Sequence, residues 1–281
     1  MGKILATDLD GTLMYPTRYW RCIPKKNVKF LRKWIDAGNK VVFITSRGPE
    51  FMERLHDELE RDFDYITYTS SYIVSDGKVI KDTPMDSEIV YKVLDYISHN
   101  YAPVAYLANI KNQPLLIKDN LKVGRLILYL YKLYWIIQGK RREKYILNKK
   151  YFDAHVKGAM VYKVILFYGL RKRNKKLSKE INKTLIEKFP EVEFSWSQFV
   201  NEVTPHNCNK GEGLKYYCDY LHIDYNDVIV VGDSGNDISM FNLFYENSYV
   251  MAKASPSVKK YAKHIISRVY KLDDYVFKKG D

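Results

Sequence analysis

Cysteine is scarce in this chain. Three occur in 281 residues, Cys22, Cys208 and Cys218, and none forms a CxxC pair. That scarcity excludes a disulfide framework and a paired-cysteine zinc site, and it points to a reducing, cytoplasmic setting. Long apolar runs are missing as well. The most hydrophobic window, LILYLYKLYWII at 126–137, spans 12 residues and contains Lys132. A membrane-spanning helix needs about 20, so no membrane partner is expected. Val123, Leu126, Ile127, Leu130, Tyr134 and Ile137 recur there at helical spacing and predict a packed helix. Tyr131, Trp135 and Ile136 on its other side leave a second reading open, a contact surface for self-association or substrate. The start, MGKILATDLDGT, turns acidic too early for a secretory signal. It also lacks the Ser or Thr at position 6 of a myristoylation site. No internal repeat and no low-complexity linker is present. The expected assembly is a monomer or dimer.

Charge, by contrast, is abundant and uneven. The net charge is +13, and residues 84–197 hold 22 Lys and Arg against 10 Asp and Glu, while the rest of the chain is nearly balanced. Two clusters stand out, KRREK at 140–144 and RKRNKK at 171–176. The asymmetry marks the middle of the chain as a separate unit that attracts anions. No helix-turn-helix pattern or aromatic stacking motif accompanies the clusters, so a solvated surface is the simpler reading and nucleic acid is not the expected partner.

Residues 3–9 read as a strand and IPKKNVKFLRKWIDAG as a helix, with Pro24 at its start and Gly38 beyond its end. KVVFITSR is a continuous apolar strand of the kind buried in a parallel sheet, and PEFMERLHDELE is helical. YITYTSSYIVSDGKVI reads as strands with a hairpin turn at Asp76–Gly77. The rhythm changes near Pro84. A helix at 87–98, a strand at 160–168, a charged helix at 175–188 and a strand or strand pair in VEFSWSQFVNEV follow. It then resumes with helix GEGLKYYCDYLHI, strand DVIVVGD, a helix near 237–245, strand SYVMA and helix SPSVKKYAKHI. The expected fold class is α/β, a Rossmann-like three-layer parallel-sheet core formed by residues 1–83 and 198–281 with an inserted α+β cap at 84–197.

In such a sheet ligands bind beyond the carboxyl ends of the strands. The first strand ends in Asp8-Leu9-Asp10-Gly11-Thr12, the second in Thr45-Ser46-Arg47, and a late one in Asp233-Ser234-Gly235-Asn236-Asp237; Lys210 opens a helix. The four aspartates Asp8, Asp10, Asp233 and Asp237 would repel unless a cation neutralises them, and carboxylate oxygens suit Mg²⁺. Gly11 and Gly235 admit backbone N–H groups to an anion, and Thr45, Ser46 and Lys210 add donors. A hard metal inside a ring of anion donors describes phosphoryl transfer. The repulsion at the end of the first strand then has a purpose, one carboxylate as nucleophile and metal ligand and its neighbour as proton carrier.

ATDLDGTL, VVFITSR, NKGEG and VIVVGDSGNDISMF together resemble the four motifs of the haloacid dehalogenase superfamily of phosphohydrolases. The motif order and the position of the insertion resemble its Cof-like branch with a type-II cap; EVTPHNCNKGEGL and ASPSVKKYAKHI look like that branch too. The resemblance implies an Mg²⁺-dependent phosphatase acting on a small phosphorylated metabolite, a sugar phosphate or nucleotide-like phosphate. Asp8 would form an aspartyl-phosphate and Asp10 would protonate the leaving oxygen and then activate water, with its carbonyl on the metal. Thr45 and the Ser46 amide would hold phosphoryl oxygens, with Gly11, Thr12 and Arg47 alongside; Lys210 would neutralise Asp8 and the phosphate. Asp233 would ligate Mg²⁺, supported by Asn236 and Asp237. Three positions depart from the branch: Ser46 where glycine is frequent, Ser70-Ser71 in place of Asn-Gly, and Ala252-Lys253-Ala254 in place of a GNA-like segment.

Alternatives stay open. Asp237 is either a site residue or a helix cap, and Arg47 either a substrate contact or one half of an ion pair. Lys163 is expected on a rim, Cys208 buried, and His206 structural. A phosphomutase would use the same aspartates, and a nucleic-acid-binding protein or scaffold could retain a hydrolase fold.

Overall fold

Fourteen strands appear among the described residues: β1 (Ile4–Asp8), β2 (Lys40–Ile44), β3 (Asp64–Thr67), β4 (Tyr72–Ser75), β5 (Lys78–Asp82), β6 (Ala105–Ile110), β7 (Leu115–Asp119), β8 (Tyr145–Leu147), β9 (Val161–Phe167), β10 (Val192–Ser197), β11 (Val200–Pro205), β12 (Val228–Gly232), β13 (Ser248–Met251) and β14 (His264–Ile266). The computed structural model describes residues 2–16, 21–111, 113–120, 126, 144–197 and 199–276. The chain divides into two units, Met1–Asp82 with Asn209–Asp281, and Thr83–Cys208.

The first unit is built on an eight-stranded sheet in the order β14-β13-β12-β1-β2-β3-β4-β5. Strands from β14 to β3 run parallel, and the β3-β4-β5 edge is antiparallel. Helices cover both faces. Ile4 and Ala6 of β1 point into one apolar layer with Val42, Ile44, Leu214 and Tyr217, and Leu5 into the opposite one with Phe43, Leu31 and Trp34. This is why β1, β2 and β12 are apolar on both sides rather than alternating. The helix Lys25–Asp36 buries Val28, Leu31 and Trp34 along one stripe. The positive φ of Gly38 (81°) ends the turn beyond it. Asp76 (φ 47°) and Gly77 (φ 72°) form the expected hairpin turn between β4 and β5.

The second unit has a six-stranded sheet in the order β10-β11-β9-β6-β7-β8. The helices Ser87–Asn100 and Lys172–Lys188 bury Val90, Val93, Ile97, Ile181 and Leu185 in its core. Its boundary corrects the expected one at 197/198. VEFSWSQFVNEV contributes to a strand pair, and β11 is hydrogen-bonded to both β10 and β9, which draws Val200–Pro205 into this sheet and places the end of the unit at Cys208. The RKRNKK cluster is exposed at the start of the helix Lys172–Lys188, as a solvated face would be. Lys163 corrects another expectation: it is buried and donates to Glu202 Oε1 at 2.9 Å rather than lying on a rim. The segment ASPSVKKYAKHI is helical only over Pro256–Lys259; its end enters β14, which pairs with β13. The apolar window at 126–137 and the KRREK cluster fall outside the described residues apart from Leu126 and Lys144.

Candidate active site

β2, β1 and β12 are adjacent and parallel, so their carboxyl ends stand side by side. Asp8 is the last residue of β1, and Thr45 and Asp233 follow β2 and β12 directly. After Asp8 the chain turns sharply over Leu9–Leu13, and Gly11 takes φ 84°. A Cβ at Gly11 would stand 2.4 Å from Asp233 Oδ2, so only glycine permits both this backbone and this approach. The turn delivers Thr12 Oγ1 to Asp233 Oδ1 as a donor at 3.2 Å. Thr12, expected beside a phosphate, thus orients a carboxylate.

Lys210 opens the helix Lys210–Tyr220, whose cap Asn209 accepts from the Glu212 amide. Its buried ammonium donates to Asp8 Oδ1 at 2.5 Å and to Asp237 Oδ1 at 2.6 Å. Asp237 Oδ2 accepts from the amides of Asp233 and Ser234 at 2.8 and 2.9 Å. Asp237 thus fastens Lys210 and closes the turn Gly235–Asp237 that contains it, so both of its oxygens are engaged; it makes no side-chain cap on the following helix, Ile238–Leu243, so the helix-cap reading does not describe it. Asn236 is exposed, and its Oδ1 accepts from Ser234 Oγ at 2.6 Å.

Asp10 lies apart from this cluster of charges. Arg47 grips its carboxylate with two donors, Nε to Oδ2 at 2.6 Å and Nη2 to Oδ1 at 2.9 Å, while the guanidinium lies 4.4 Å from the centre of the Phe51 ring. The ion-pair reading of Arg47 describes this conformation. Thr45 is buried; its Oγ1 accepts from the Arg47 amide at 3.2 Å and its own amide donates to Ile66 O, while Ser46 is half-buried between them. The loop is clamped by the turn after β3, where Tyr68 N donates to Arg47 O and Thr69 N to Thr45 O. Tyr68, Thr69 and Ser70 all have positive φ, 48°, 61° and 101°. Three non-glycine residues in that region store strain of a few kcal/mol, about 1–2 kcal/mol each.

Asp8, Asp233 and Asp237 each present an oxygen within 4.8 Å of the others. Burial raises the Asp8 carboxyl from 3.8 to about 7; Lys210 opposes this, while Asp237 and Asp233 reinforce it. Burial pulls the Lys210 ammonium down, but Asp237 and Asp8 outweigh it and hold it above the ordinary lysine value. Asp8 Oδ2 is buried without a hydrogen-bond partner. A buried carboxylate oxygen with no donor, next to a second carboxylate, fits a hard divalent cation. Asp8 and Asp233 are the residues placed to hold one; Asp237 is committed to Lys210 and the backbone. Lys253, which motif reading did not assign to the site, places its ammonium 2.9 Å from Asp233 Oδ2.

Strand-end carboxylates around a buried lysine define a site built to handle an anion beside a cation. Residues 5–273 match the haloacid dehalogenase-like hydrolases, and the chain belongs to that family; the inserted α+β unit places it in the Cof-like branch with a type-II cap. A protein of Mycoplasma capricolum is 25% identical over 97% of this chain and 99% of its own length. The 5-amino-6-(5-phospho-D-ribitylamino)uracil phosphatase YwtE of Bacillus subtilis is 25% identical over 86% of this chain and 85% of its own. Among solved structures, a haloacid dehalogenase-like hydrolase from Bacteroides thetaiotaomicron superposes with a TM-score of 0.77 at 18% identity, covering 99% of this chain and 100% of its own. The subclass IIB sugar phosphatase BT4131 does so with 0.73 at 18% identity, covering 97% and 98%. The fold and the enzyme class follow. No helix among the described residues is long and apolar enough to cross a membrane.

Proposed function

We propose that this hydrolase is a cytoplasmic, Mg²⁺-dependent phosphatase that cleaves a small phosphorylated metabolite of the sugar-phosphate or nucleotide-like class through an aspartyl-phosphate on Asp8. The observation that carries the proposal is the state of the Asp8 carboxylate. Lys210 holds the carboxylate in place through Oδ1, and Oδ2 is buried with no hydrogen-bond partner, so the group is oriented without being saturated by donors. Attack by Asp8 forms the Asp8–phosphorus bond as the bond from phosphorus to the leaving oxygen breaks. Asp10 gives that oxygen its proton. Water then attacks phosphorus, Asp10 takes the water's proton, and the Asp8–phosphorus bond breaks to release inorganic phosphate. Splitting one displacement into two steps is the gain of covalent catalysis. For this work Asp10 must exchange Arg47 for substrate, which frees the guanidinium for the phosphoryl group.

Thr45 and Ser46 line the same strand end and would bind phosphoryl oxygens, and Lys210 would balance their charge. Mg²⁺ on Asp8 and Asp233 would supply further charge neutralisation. The basic inserted unit, residues 83–208, is proposed to select the substrate. The sugar and ribityl phosphates named for BT4131 and YwtE support that substrate class.

The test is phosphate release from a panel of phosphorylated sugars, polyols and nucleotides, with Mg²⁺ and with excess chelator. Strong metal-dependent release from one or two members is expected, with none from Asp8→Asn. Release that survives chelator, or near-normal turnover by Asp8→Asn, refutes the mechanism.

A further inference from the structure

Lys253 lies in the segment Ala252-Lys253-Ala254, and its side chain has a definite place. It follows β13, the neighbour of β12, and the amides of Ala252 and Ala254 donate to Ile266 O and Met251 O, which fixes the turn that carries it. The ammonium reaches Asp233 Oδ2 at 2.9 Å. With Thr12 on Oδ1, both oxygens of Asp233 are satisfied, whereas Asp8 Oδ2 is not. A cation shared by Asp8 and Asp233 would thus meet one open ligand and one already taken by a lysine.

The two lysines at the site differ in freedom. Lys210 is buried between Asp8 and Asp237 and has nowhere to go. The side chain of Lys253 is 32% exposed. Its ammonium already lies 4.6 Å from the centre of the Tyr15 ring, a second partner that it keeps on leaving Asp233 and that it shares with the Arg268 guanidinium, also at 4.6 Å. Three carboxylates against two lysines leave the cluster one charge short. Adding a divalent cation overshoots in the direction that suits an incoming phosphate, provided Lys253 no longer needs Asp233.

We infer that Lys253 is a tethered counter-ion that competes with the divalent cation for Asp233 and leaves that carboxylate, keeping Tyr15, when the metal binds. The inference rests on the reading that Asp8 and Asp233 hold a metal. Lys253 keeps Asp233 paired in the metal-free protein and lowers the affinity for the ion.

Calorimetric titration of Mg²⁺ into the metal-stripped full-length protein tests this without substrate or turnover. Lys253→Gln keeps the length and loses the charge. It is expected to bind Mg²⁺ about fivefold more tightly than wild type, the upper end for a partly exposed ion pair. Lys253→Gln is also expected to melt lower than wild type in chelator, with the gap closing at saturating Mg²⁺. Asp233→Asn is expected to lose Mg²⁺ binding. Equal or weaker binding by Lys253→Gln, while Asp233→Asn loses it, overturns the competition alone. Wild-type binding by Asp233→Asn overturns the metal site and the competition with it.

Discussion

Replacing Asp8 by asparagine should make the metal-free protein more stable while it abolishes turnover. The Asp8 carboxyl is raised from 3.8 to about 7, chiefly by burial. A group whose folded value is raised binds its proton more tightly in the fold than in the unfolded chain. Its contribution is complete below the unfolded value of 3.8 and fades as pH climbs to about 7. Across that window, roughly three units at about 1.36 kcal/mol each, the loss is at most about 4 kcal/mol. Asparagine does not titrate. Lys210 retains Asp237 at 2.6 Å, so the substitution strands no ammonium. Urea unfolding in chelator should therefore favour Asp8→Asn by up to about 4 kcal/mol at pH 8 and by no more than about 2 kcal/mol at pH 5. In Mg²⁺ at a hundred times the Kd the gap should narrow by about 2.7 kcal/mol, since only wild type gains the binding energy. A variant no more stable than wild type at pH 8 in chelator would mean that attraction to Lys210 outweighs burial, and the argument for a destabilised nucleophile would fail.

Gly11→Ala should leave a folded protein with turnover reduced about a hundredfold or more, because its Cβ displaces the Asp233 carboxylate it would meet at 2.4 Å; melting curves and steady-state rates separate the two effects. Lys210→Met should cost about 3–5 kcal/mol in chelator, since Asp8 and Asp237 stay buried without their cation, and Mg²⁺ should recover part of it. Ser70→Gly should raise stability by about 1 kcal/mol, relieving φ 101° and removing a buried hydroxyl without a partner; a lower urea midpoint would contradict this.

Much of the site could be read in advance because the alternation of apolar strands and amphipathic helices says where strand ends fall. Asp8, Thr45 and Asp233 come together for that reason, and Lys210 arrives on the helix that packs behind them. Side-chain partners were less legible. Nothing in DLDGT says that Thr12 turns to Asp233 or that Asp10 turns away to Arg47, since both depend on the φ of 84° at Gly11. Lys253 lies beyond β13, well separated in sequence from Asp233, and it is the pairing of β13 with β12 that brings the two together. The boundary near 198 was misplaced because apolar alternation in VEFSWSQFVNEV marks strands without naming the sheet they join. The end of ASPSVKKYAKHI was hidden because three residues of edge strand are too few to break a helical pattern.

Register has a consequence for biosynthesis. β1 pairs with β2 on one side and with β12 on the other, and β12 begins at Val228. Until that stretch leaves the ribosome, one edge of the strand bearing Asp8 has no partner, an open template for other chains. Thr83–Cys208 forms its own sheet from consecutive sequence and can complete it first. A chain halted at residue 227 should accordingly yield a protease-resistant middle and a sticky, unclosed first segment. Limited proteolysis of such stalled chains would show whether birth order and architecture are related in this way; uniform digestion would say they are not.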